Sequence, residues 1–426
     1  MKRNSVIREA LRFDDVLLVP AESNVKASEV SVQTRLTRSI SLNMPLVSAG
    51  RADVTESAMA IAMAQLGGLG VIHDDMPMGK QVEEVRRVKR AEGDMVSNPI
   101  TIAPDASVAE ALDLMTTYKI SGLPVIEQPS QRVAGIITRR DIRFFEDYAK
   151  PVSTLMTKEV VTVQGKIEKE MAKNLFHQHR IEKLVVVDGQ GRCVGLVTVR
   201  DIERLSRYPH ASRDAQGRLR VGAAVGLGKD AFDRAAAMAD AGLDAVFVDT
   251  EHAHSREAIG TVSRIRQQRS NDVQVIAGNV VTADAARSLI DAGADAIKVG
   301  VRTVSGVGMP QMAAILAVAE LCALQNIPVI LDGGARNAAT LAKALAAGAE
   351  SAMIGYLFSG TDEAPGKVVY QDLQPCKVVN NSSQPSRGSV AGLAHELTEG
   401  LKAAMAHVGC RDLSSLRENA EFVRVG

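Results

Sequence analysis

Short apolar runs recur along the chain, and most are continuously apolar rather than alternating with polar residues. This pattern is typical of parallel strands that are buried on both faces. Between the runs lie segments such as AFDRAAAMADAG, TADAARSLIDAGA and NAATLAKALAAGA, which carry apolar residues at helical spacing and end near a glycine. The predicted strands are PLVSAG (45–50), GLGVIH (68–73), RVGAAV (220–225), AVFVDT (245–250), VQVIAGNV (273–280), DAIKVG (295–300), IPVILDGG (327–334) and SAMIGYLF (351–358).

The alternation of strands and helices indicates an α/β protein with a parallel sheet. An open, doubly wound sheet and a closed (β/α)8 TIM barrel both fit this alternation. The count of eight strands and the repeated strand entries AGADA and AAGAE favour the barrel.

An internal repeat interrupts the barrel pattern between its second and third strands. The first copy reads NPITIAPDASVAEALDLMTTYKISGLPVIE and then RVAGIITRRDI. The second reads KEVVTVQGKIEKEMAKNLFHQHRIEKLVVVD and then RCVGLVTVRDI. Each copy predicts a strand, a helix, two strands and a final helix.

The doubled pattern G-[IL]-[IV]-T-x-R-D resembles a tandem pair of CBS domains, often called a Bateman module. The resemblance implies that Thr138 with Asp141, and Thr198 with Asp201, hold the phosphates and ribose of an adenine nucleotide. The alternative is that each aspartate only caps the helix that follows it, since Asp is favoured at helix N-termini. The two roles are compatible.

The whole chain is similar to the IMP dehydrogenase family and its relative GMP reductase. The similarity lies in LRFDDVLLVPAESNV, VTESAMAIAMAQLGGLGVIH, VDTEHAHS, QVIAGNVVTADAARSLIDAGADAIKVGV, VSGVGMPQ, DGGARN and MIGYLFSGTDEAPG, in the order of the family. It implies a barrel at 1–96 and 209–368, CBS domains at 97–150 and 151–208, and a shortened flap with a C-terminal helix at 369–426.

In that family a loop beginning Gly-Pro-Gly-Ser follows the DAIKVG-type strand and carries a cysteine that attacks C2 of the purine. A hydride then passes to NAD, or ammonia leaves in the reductase. Here Val301 is followed at once by Arg302, and the four scattered cysteines (Cys193, Cys322, Cys376 and Cys410) are predicted to be reduced thiols. The monovalent-cation site that the same loop supplies is predicted to be absent too.

Four further positions depart from the family pattern. In SAGRADVTE, Arg51 replaces the methionine that packs on the purine, and Ala52 replaces an aspartate. Glu251 stands where a small residue is usual. Tyr356 stands where a serine contacts the substrate phosphate, so its ring is predicted to fill that space. The segment after GTDEAPG is short and lacks the Arg-Tyr pair of the family's mobile flap.

Other positions match the family. Asp332, Gly333 and Gly334 match the segment that holds the substrate ribose and phosphate, and Gly355 matches a second phosphate glycine. The resemblance also places Asp249 at the nicotinamide ribose. Asn279 lies in the retained AGN turn, and Ser48 is the first residue of the SAGRADVTE segment. The alternative for the glycines is that they only form tight turns between strand and helix.

These departures predict a catalytically inactive protein with no catalytic residue, which responds to ATP or a related adenine nucleotide through its CBS pair. They also cast doubt on NAD as a cofactor. One alternative is a genuine IMP dehydrogenase or GMP reductase whose Cys loop is missing from this sequence. Another is a barrel for a different substrate, with a remodelled pocket lined by Arg51, Glu251, Tyr356 and Asp332.

Composition bears on partners and location. Lys+Arg and Asp+Glu both total 50, so net charge favours neither nucleic acid nor an anionic membrane. No apolar run has the length of a membrane span, and the charged N-terminus does not resemble a signal peptide, so a cytoplasmic location is expected.

The resemblance implies a homotetramer, stacking into octamers, that could associate with an active IMP dehydrogenase. The adjacent His252 and His254 raise a metal site as an alternative, but the family has two histidines here without a metal, and none is predicted.

Overall fold

The computed structural model describes residues 9–91, 95–97, 99–165, 167–268, 273–300, 306–371, 374–379 and 382–425. The chain divides into two compact units. The first comprises Met1–Ala91 and His210–Gly426, and the second is Glu92–Pro209. Among the described residues, no helix has both the length and the apolar character that crossing a bilayer requires.

Strands and helices of the described residues are numbered in chain order. The strands are β1 (Val16–Leu18), β2 (Thr34–Arg35), β3 (Ser41–Leu42), β4 (Leu46–Ser48), β5 (Leu69–Ile72), β6 (Val96–Ser97), β7 (Gly122–Ile126), β8 (Val133–Thr138), β9 (Thr162–Gln164), β10 (Lys183–Val187), β11 (Cys193–Thr198), β12 (Gly222–Val225), β13 (Ala245–Asp249), β14 (Gln274–Val280), β15 (Ala296–Val299), β16 (Val329–Asp332), β17 (Ser351–Ile354), β18 (Lys367–Gln371), β19 (Gln374–Val379), β20 (Ser382–Pro385) and β21 (Phe422–Arg424). The helices are α1 (Ser57–Gln65), α2 (Met78–Ala91), α3 (Val108–Thr117), α4 (Arg139–Ile142), α5 (Lys169–His179), α6 (Val199–Arg207), α7 (Gly228–Asp240), α8 (Arg256–Gln268), α9 (Ala283–Asp291), α10 (Gln311–Leu324), α11 (Ala338–Ala346), α12 (Val390–His407) and α13 (Leu413–Asn419).

Eight parallel strands of the first unit close into a barrel in the order β12-β13-β14-β15-β16-β17-β4-β5. The predicted (β/α)8 architecture is therefore confirmed, and the open sheet is excluded. Six of the eight predicted strands run past the observed C-terminal ends, and β16 and β17 show the physical reason. β16 stops at Asp332 because Gly333 and Gly334 have positive φ angles of 79° and 76°, and β17 stops at Ile354, where the chain turns.

Alternate residues along the strands fill the barrel interior. Phe247, Ile276, Ile330 and Met353 belong to one buried cluster there, whereas the intervening residues pack on the surrounding helices. The hairpin of β2 and β3 closes the N-terminal end of the barrel, because its buried residues join the same interior cluster. The opposite, C-terminal end is the one at which TIM barrels build their sites.

The second unit contains two similar halves. In one, α3 and α4 accompany the antiparallel pair β7–β8, and in the other, α5 and α6 accompany β10–β11. The strands β6, β11, β10 and β9 form a four-stranded sheet. Each half has its own buried apolar cluster, so the repeat seen in the sequence corresponds to a repeat of structure.

A three-stranded antiparallel sheet, β18-β19-β20, lies where a shortened flap is predicted. The buried Lys377 anchors this sheet, because its ammonium donates to the carbonyl oxygens of Asp362 at 2.8 Å and Ala364 at 2.6 Å. The chain then continues into α12 and α13 of the first unit.

Candidate functional site at the C-terminal end of the barrel

Four polar side chains from successive strands meet at the C-terminal end of the barrel interior. Asp249 ends β13, Asn279 lies near the end of β14, Lys298 lies on β15, and Asp332 ends β16. The two-residue period of a strand explains three of these placements. Asp249, Lys298 and Asp332 follow Phe247, Ala296 and Ile330 by two positions, and those three residues belong to the interior cluster.

Lys298 is the centre of this group, and its side chain has no exposed surface. Its Nζ lies 2.8 Å from Asp249 Oδ1 and 2.5 Å from Asp332 Oδ2, and it also donates to Asn279 Oδ1. Burial alone would lower the pKa of Lys298, but the carboxylates of Asp332 and Asp249 outweigh the burial and raise it. The amine is therefore a protonated ammonium with three acceptors.

The carboxylates on either side of Lys298 are partly open to solvent. The side chains of Asp249 and Asp332 are 34% and 22% exposed. Asn279 also donates from Nδ2 to Asp332 Oδ2 at 2.9 Å. One cation thus joins two carboxylates at the barrel mouth, and each carboxylate presents an edge where a ligand's hydroxyl groups could donate to it.

Gly278 leaves the space that Lys298 occupies. It pairs with Lys298 across β14 and β15, and a Cβ built on Gly278 would lie 2.4 Å from the Lys298 carbonyl oxygen and 2.6 Å from Lys298 Cβ. These distances are too short for a side chain, so a glycine is required beside this buried lysine.

The predicted phosphate segment forms the turn after β16. Gly333 and Gly334 have positive φ angles, and Gln311 Nε2 donates to the carbonyl oxygen of Asp332 at 3.0 Å. The positive φ angles explain why glycines form this turn. A role of their backbone N–H groups in phosphate binding stays a prediction.

Residues of the SAGRADVTE segment lie near the second predicted phosphate glycine. A Cβ on Gly355 would be 3.6 Å from the Arg51 side chain, so the two residues are neighbours. Arg51 forms an ion pair with Asp53, at 3.0 Å from Nε and 2.9 Å from Nη2. Ser48 is fully buried, and its Oγ lies 2.8 Å from Thr55 Oγ1.

Tyr356 lies in the turn that follows β17. The residue is 61% exposed, and the guanidinium Cζ of Arg387 lies 4.6 Å from its ring centroid. The expectation that this ring fills the phosphate space stays a prediction.

The histidines beside Glu251 form an edge-on pair, with the ring centroids of His252 and His254 6.4 Å apart. His254 Nε2 lies 3.5 Å from Ser288 Oγ. Over the described ranges, no three His, Cys, Asp or Glu side chains group as ligands for a metal ion.

Three of the four thiols lie in environments that disfavour the thiolate form of an activated nucleophile. Burial raises the pKa of Cys322, on α10, to about 12. Burial also raises the pKa values of Cys193 and Cys410. Cys376 lies on β19 and is partly buried. Residues 301–305, where the missing loop is predicted, lie outside the described residues.

In the second unit the two Thr-Asp pairs adopt the same geometry. Asp141 Oδ2 accepts from the backbone N–H and the hydroxyl of Thr138, both at 2.8 Å. Asp201 Oδ2 accepts from the same groups of Thr198 at 2.8 and 2.6 Å. In each pair the threonine is the N-cap and the aspartate is the third helical residue of a capping box. The aspartates therefore do cap the helices, as the alternative expected, but the N-cap residue itself is the threonine.

A cavity of about 730 Å³ lies in the second unit beside the first of these pairs. Thr138 and Asp141 line it, whereas Thr198 and Asp201 are not among its lining residues. Burial, together with the nearby Arg140, lowers the pKa of Lys183 at its wall, against the opposing effect of Glu182. Five basic side chains line the cavity: Arg139, Arg140, Arg143, Arg180 and Lys183.

Lys298, Gln311 and Arg387 were not identified from the sequence as site residues. The sequence pattern could have identified Lys298, because it is a charged residue inside an otherwise apolar strand, and a buried charge requires partners. No sequence pattern points to Gln311 or Arg387, because each follows a turn and is brought to its contacts only by the folding of distant segments.

Comparison with known proteins gives one consistent picture. Residues 10–382 match the family described as "IMP dehydrogenase / GMP reductase domain". The chain is 44% identical to the inosine-5'-monophosphate dehydrogenase of Aquifex aeolicus, covering 98% of this chain and 94% of that protein. It is 46% identical to the corresponding enzyme of Rhizobium tropici, with coverages of 98% and 92%.

Solved structures agree. A GMP reductase variant of Trypanosoma brucei in complex with guanosine 5'-monophosphate superposes with a TM-score of 0.88 at 34% identity, covering 100% of this chain and 97% of that one. The T. brucei GMP reductase in complex with guanosine 5'-triphosphate gives a TM-score of 0.84, also at 34% identity, with both coverages 99%.

These comparisons contradict the prediction of a catalytically inactive regulator. High identity extends over nearly the whole chain and points to an active oxidoreductase. The doubt about NAD is likewise not supported. The prediction was wrong because it weighed five local departures above the agreement of the rest of the chain.

Proposed function

Because the chain belongs to the IMP dehydrogenase / GMP reductase family, we propose that it is a purine-nucleotide oxidoreductase. Its substrate is inosine or guanosine 5'-monophosphate, and its cofactor is a nicotinamide dinucleotide. The observation that carries this proposal is the Asp249–Lys298–Asp332 cluster at the barrel mouth, where two partly exposed carboxylates are held side by side.

Each retained residue has a role that suits its chemistry. Asp332 accepts hydrogen bonds from the ribose hydroxyls of the substrate, and the N–H groups of Gly333, Gly334 and Gly355 bind its phosphate. Asp249 accepts from the ribose beside the nicotinamide. The bound nicotinamide supplies or accepts the hydride, while the protein's own groups bind and orient the two ligands.

The reaction also needs a nucleophile for C2 of the purine. Lys298 cannot act as one, because it is protonated and all three of its protons have acceptors. The proposal therefore includes a Cys-containing segment between Val301 and Arg302 in the natural gene product. The alignment with the A. aeolicus enzyme extends over 460 positions against the 426 residues of this chain, so that enzyme has residues that this chain lacks, and the coding sequence decides whether any of them belong here.

Two measurements test this function. The coding sequence across Val301 and Arg302 is determined first, and the gene product is then assayed for NAD reduction with inosine monophosphate and for NADPH oxidation with guanosine monophosphate. We expect one of these reactions at roughly 1 per second or faster, which is usual for enzymes. A gene that joins Val301 directly to Arg302, together with no turnover in either assay, would overturn the proposal.

We further propose that the second unit is a CBS pair that binds ATP or a related adenine nucleotide. The specific observation is the 730 Å³ cavity beside Thr138 and Asp141, where five basic side chains face two glutamates and one aspartate. Clustered arginines suit phosphate oxygens, because guanidinium groups bind them in bidentate fashion. A cavity of this size is in the range of small-ligand sites.

Thermal unfolding with ATP, ADP and AMP tests the effector site. At about 100 times the dissociation constant, a ligand that binds only the folded state stabilises it by about 2.7 kcal/mol. Asp141→Ala should remove the shift in melting temperature, whereas Asp113→Ala, a change at an exposed position on α3, should preserve it. Wild-type melting that none of the three nucleotides alters would contradict this site.

A further inference from the structure

Lys298 is a buried cation that contacts both carboxylates assigned above to ligand ribose groups. Its Nζ lies 2.8 Å from Asp249 Oδ1 and 2.5 Å from Asp332 Oδ2. Contact with the same ammonium therefore holds these two carboxylate oxygens close to each other. Asp249 and Asp332 come from β13 and β16, which are not neighbouring strands. Lys298 lies on β15, between these two strands in the barrel order, and contacts both carboxylates.

The contacts of Lys298 restrict the orientation of both carboxylates. A carboxylate can rotate about its terminal bond, but one oxygen of each is held against the same ammonium. Asn279 adds a second restraint on Asp332 through its amide N–H, and Gly278 prevents Lys298 from being displaced by a neighbouring side chain. The orientation of the exposed edges of Asp249 and Asp332 therefore depends on a residue whose own side chain has no exposed surface.

We infer that Lys298 is a positioning residue that couples the substrate ribose site to the dinucleotide ribose site, so that both ligands depend on one buried cation. This inference rests on the proposed function, because it uses the ribose roles of Asp332 and Asp249. Its specific content is that loss of Lys298 weakens both ligands through their ribose hydroxyls and leaves other ligand contacts intact.

The test measures ligand affinity of Lys298→Met, which keeps the length of the side chain and removes its charge. Affinities for inosine monophosphate and for NAD are each expected to fall about tenfold or more, which is the usual scale for losing a charged hydrogen-bond partner. Affinity for 2',3'-dideoxyinosine monophosphate, which lacks the hydroxyls that Asp332 accepts from, is expected to change less than about threefold on the same scale.

A merely structural role would weaken both nucleotides equally, so equal losses for inosine monophosphate and its dideoxy analogue would overturn the inference while the proposed function stands. Wild-type protein that binds neither inosine monophosphate nor NAD would instead count against the proposed function. If Lys298→Met does not fold, the double variant Lys298→Met/Asp332→Asn is compared with Asp332→Asn alone. A further tenfold loss of NAD affinity is expected there, and unchanged NAD affinity would contradict the coupling.

Discussion

Replacing Gly278 with alanine is expected to destabilise the barrel, because the added Cβ meets groups that cannot move away cheaply. It would lie 2.4 Å from the Lys298 carbonyl oxygen and 2.6 Å from Lys298 Cβ. The carbonyl is backbone of the adjacent barrel strand, so relief requires β14 and β15 to separate. Overpacking of this kind costs about 1–3 kcal/mol, which corresponds to a melting temperature lower by about 2–10 °C for a unit of this size.

Gly260→Ala is the matched control. Gly260 lies in the exposed interior of α8, has an ordinary backbone conformation, and a Cβ there meets nothing within 4 Å. Alanine favours a helix over glycine by about 0.5–1 kcal/mol, so the same substitution should stabilise the protein at this site. Urea unfolding measures both variants, with an unchanged denaturant slope as the check on the comparison. If Gly278→Ala is as stable as the wild type within about 0.5 kcal/mol, or if both variants lose stability equally, the packing argument fails.

Three more outcomes are expected. Tyr356→Ala should cost no more than about 1 kcal/mol of stability, the scale of an exposed cation–π contact with Arg387, and should leave affinity for inosine monophosphate unchanged; a large gain in that affinity would mean that the ring does obstruct the phosphate. Because the pKa of Lys298 is raised in the folded protein, its ammonium should contribute fully to the unfolding free energy below the ordinary lysine pKa of about 10.4. That contribution should be lost progressively at higher pH. The difference in unfolding free energy between wild type and Lys298→Met should thus be constant from pH 7 to 9 and fall at higher pH, and a fall already below pH 9 would contradict the assignment. Light scattering is expected to show the homotetramer that the family resemblance implies, shifting toward octamers with ATP, because a self-complementary surface repeated by rotation closes a ring; a monomer near 45 kDa in every condition would exclude this assembly.

Much of the architecture could be predicted from local pattern. Continuous apolar runs identified all eight barrel strands, because strands buried on both faces leave no polar positions. The duplicated G-[IL]-[IV]-T-x-R-D pattern located the two halves of the second unit. Strand ends were less certain: SAMIGYLF contains no polar interruption, yet β17 stops at Ile354 because the chain turns there.

The function inferred from individual substitutions was wrong, whereas the architecture inferred from sequence patterns was largely right. Individual substitutions such as Tyr356 were weighed by the role that the family residue has at that position, and five such local departures were taken to outweigh the match along the rest of the chain. Only the agreement along the whole chain, compared with known enzymes, corrected the conclusion.

The sequence by itself determined the strand count, the alternation with helices and the two-residue period that turns Asp249, Lys298 and Asp332 inward. Tertiary structure alone decided that these three meet. Lys298 is 49 residues from Asp249 and 34 from Asp332, and β13 and β16 do not pair with each other. Their contact arises because closure of the barrel brings the ends of separate strands around one small interior, where a buried ammonium is stable only if acceptors surround it.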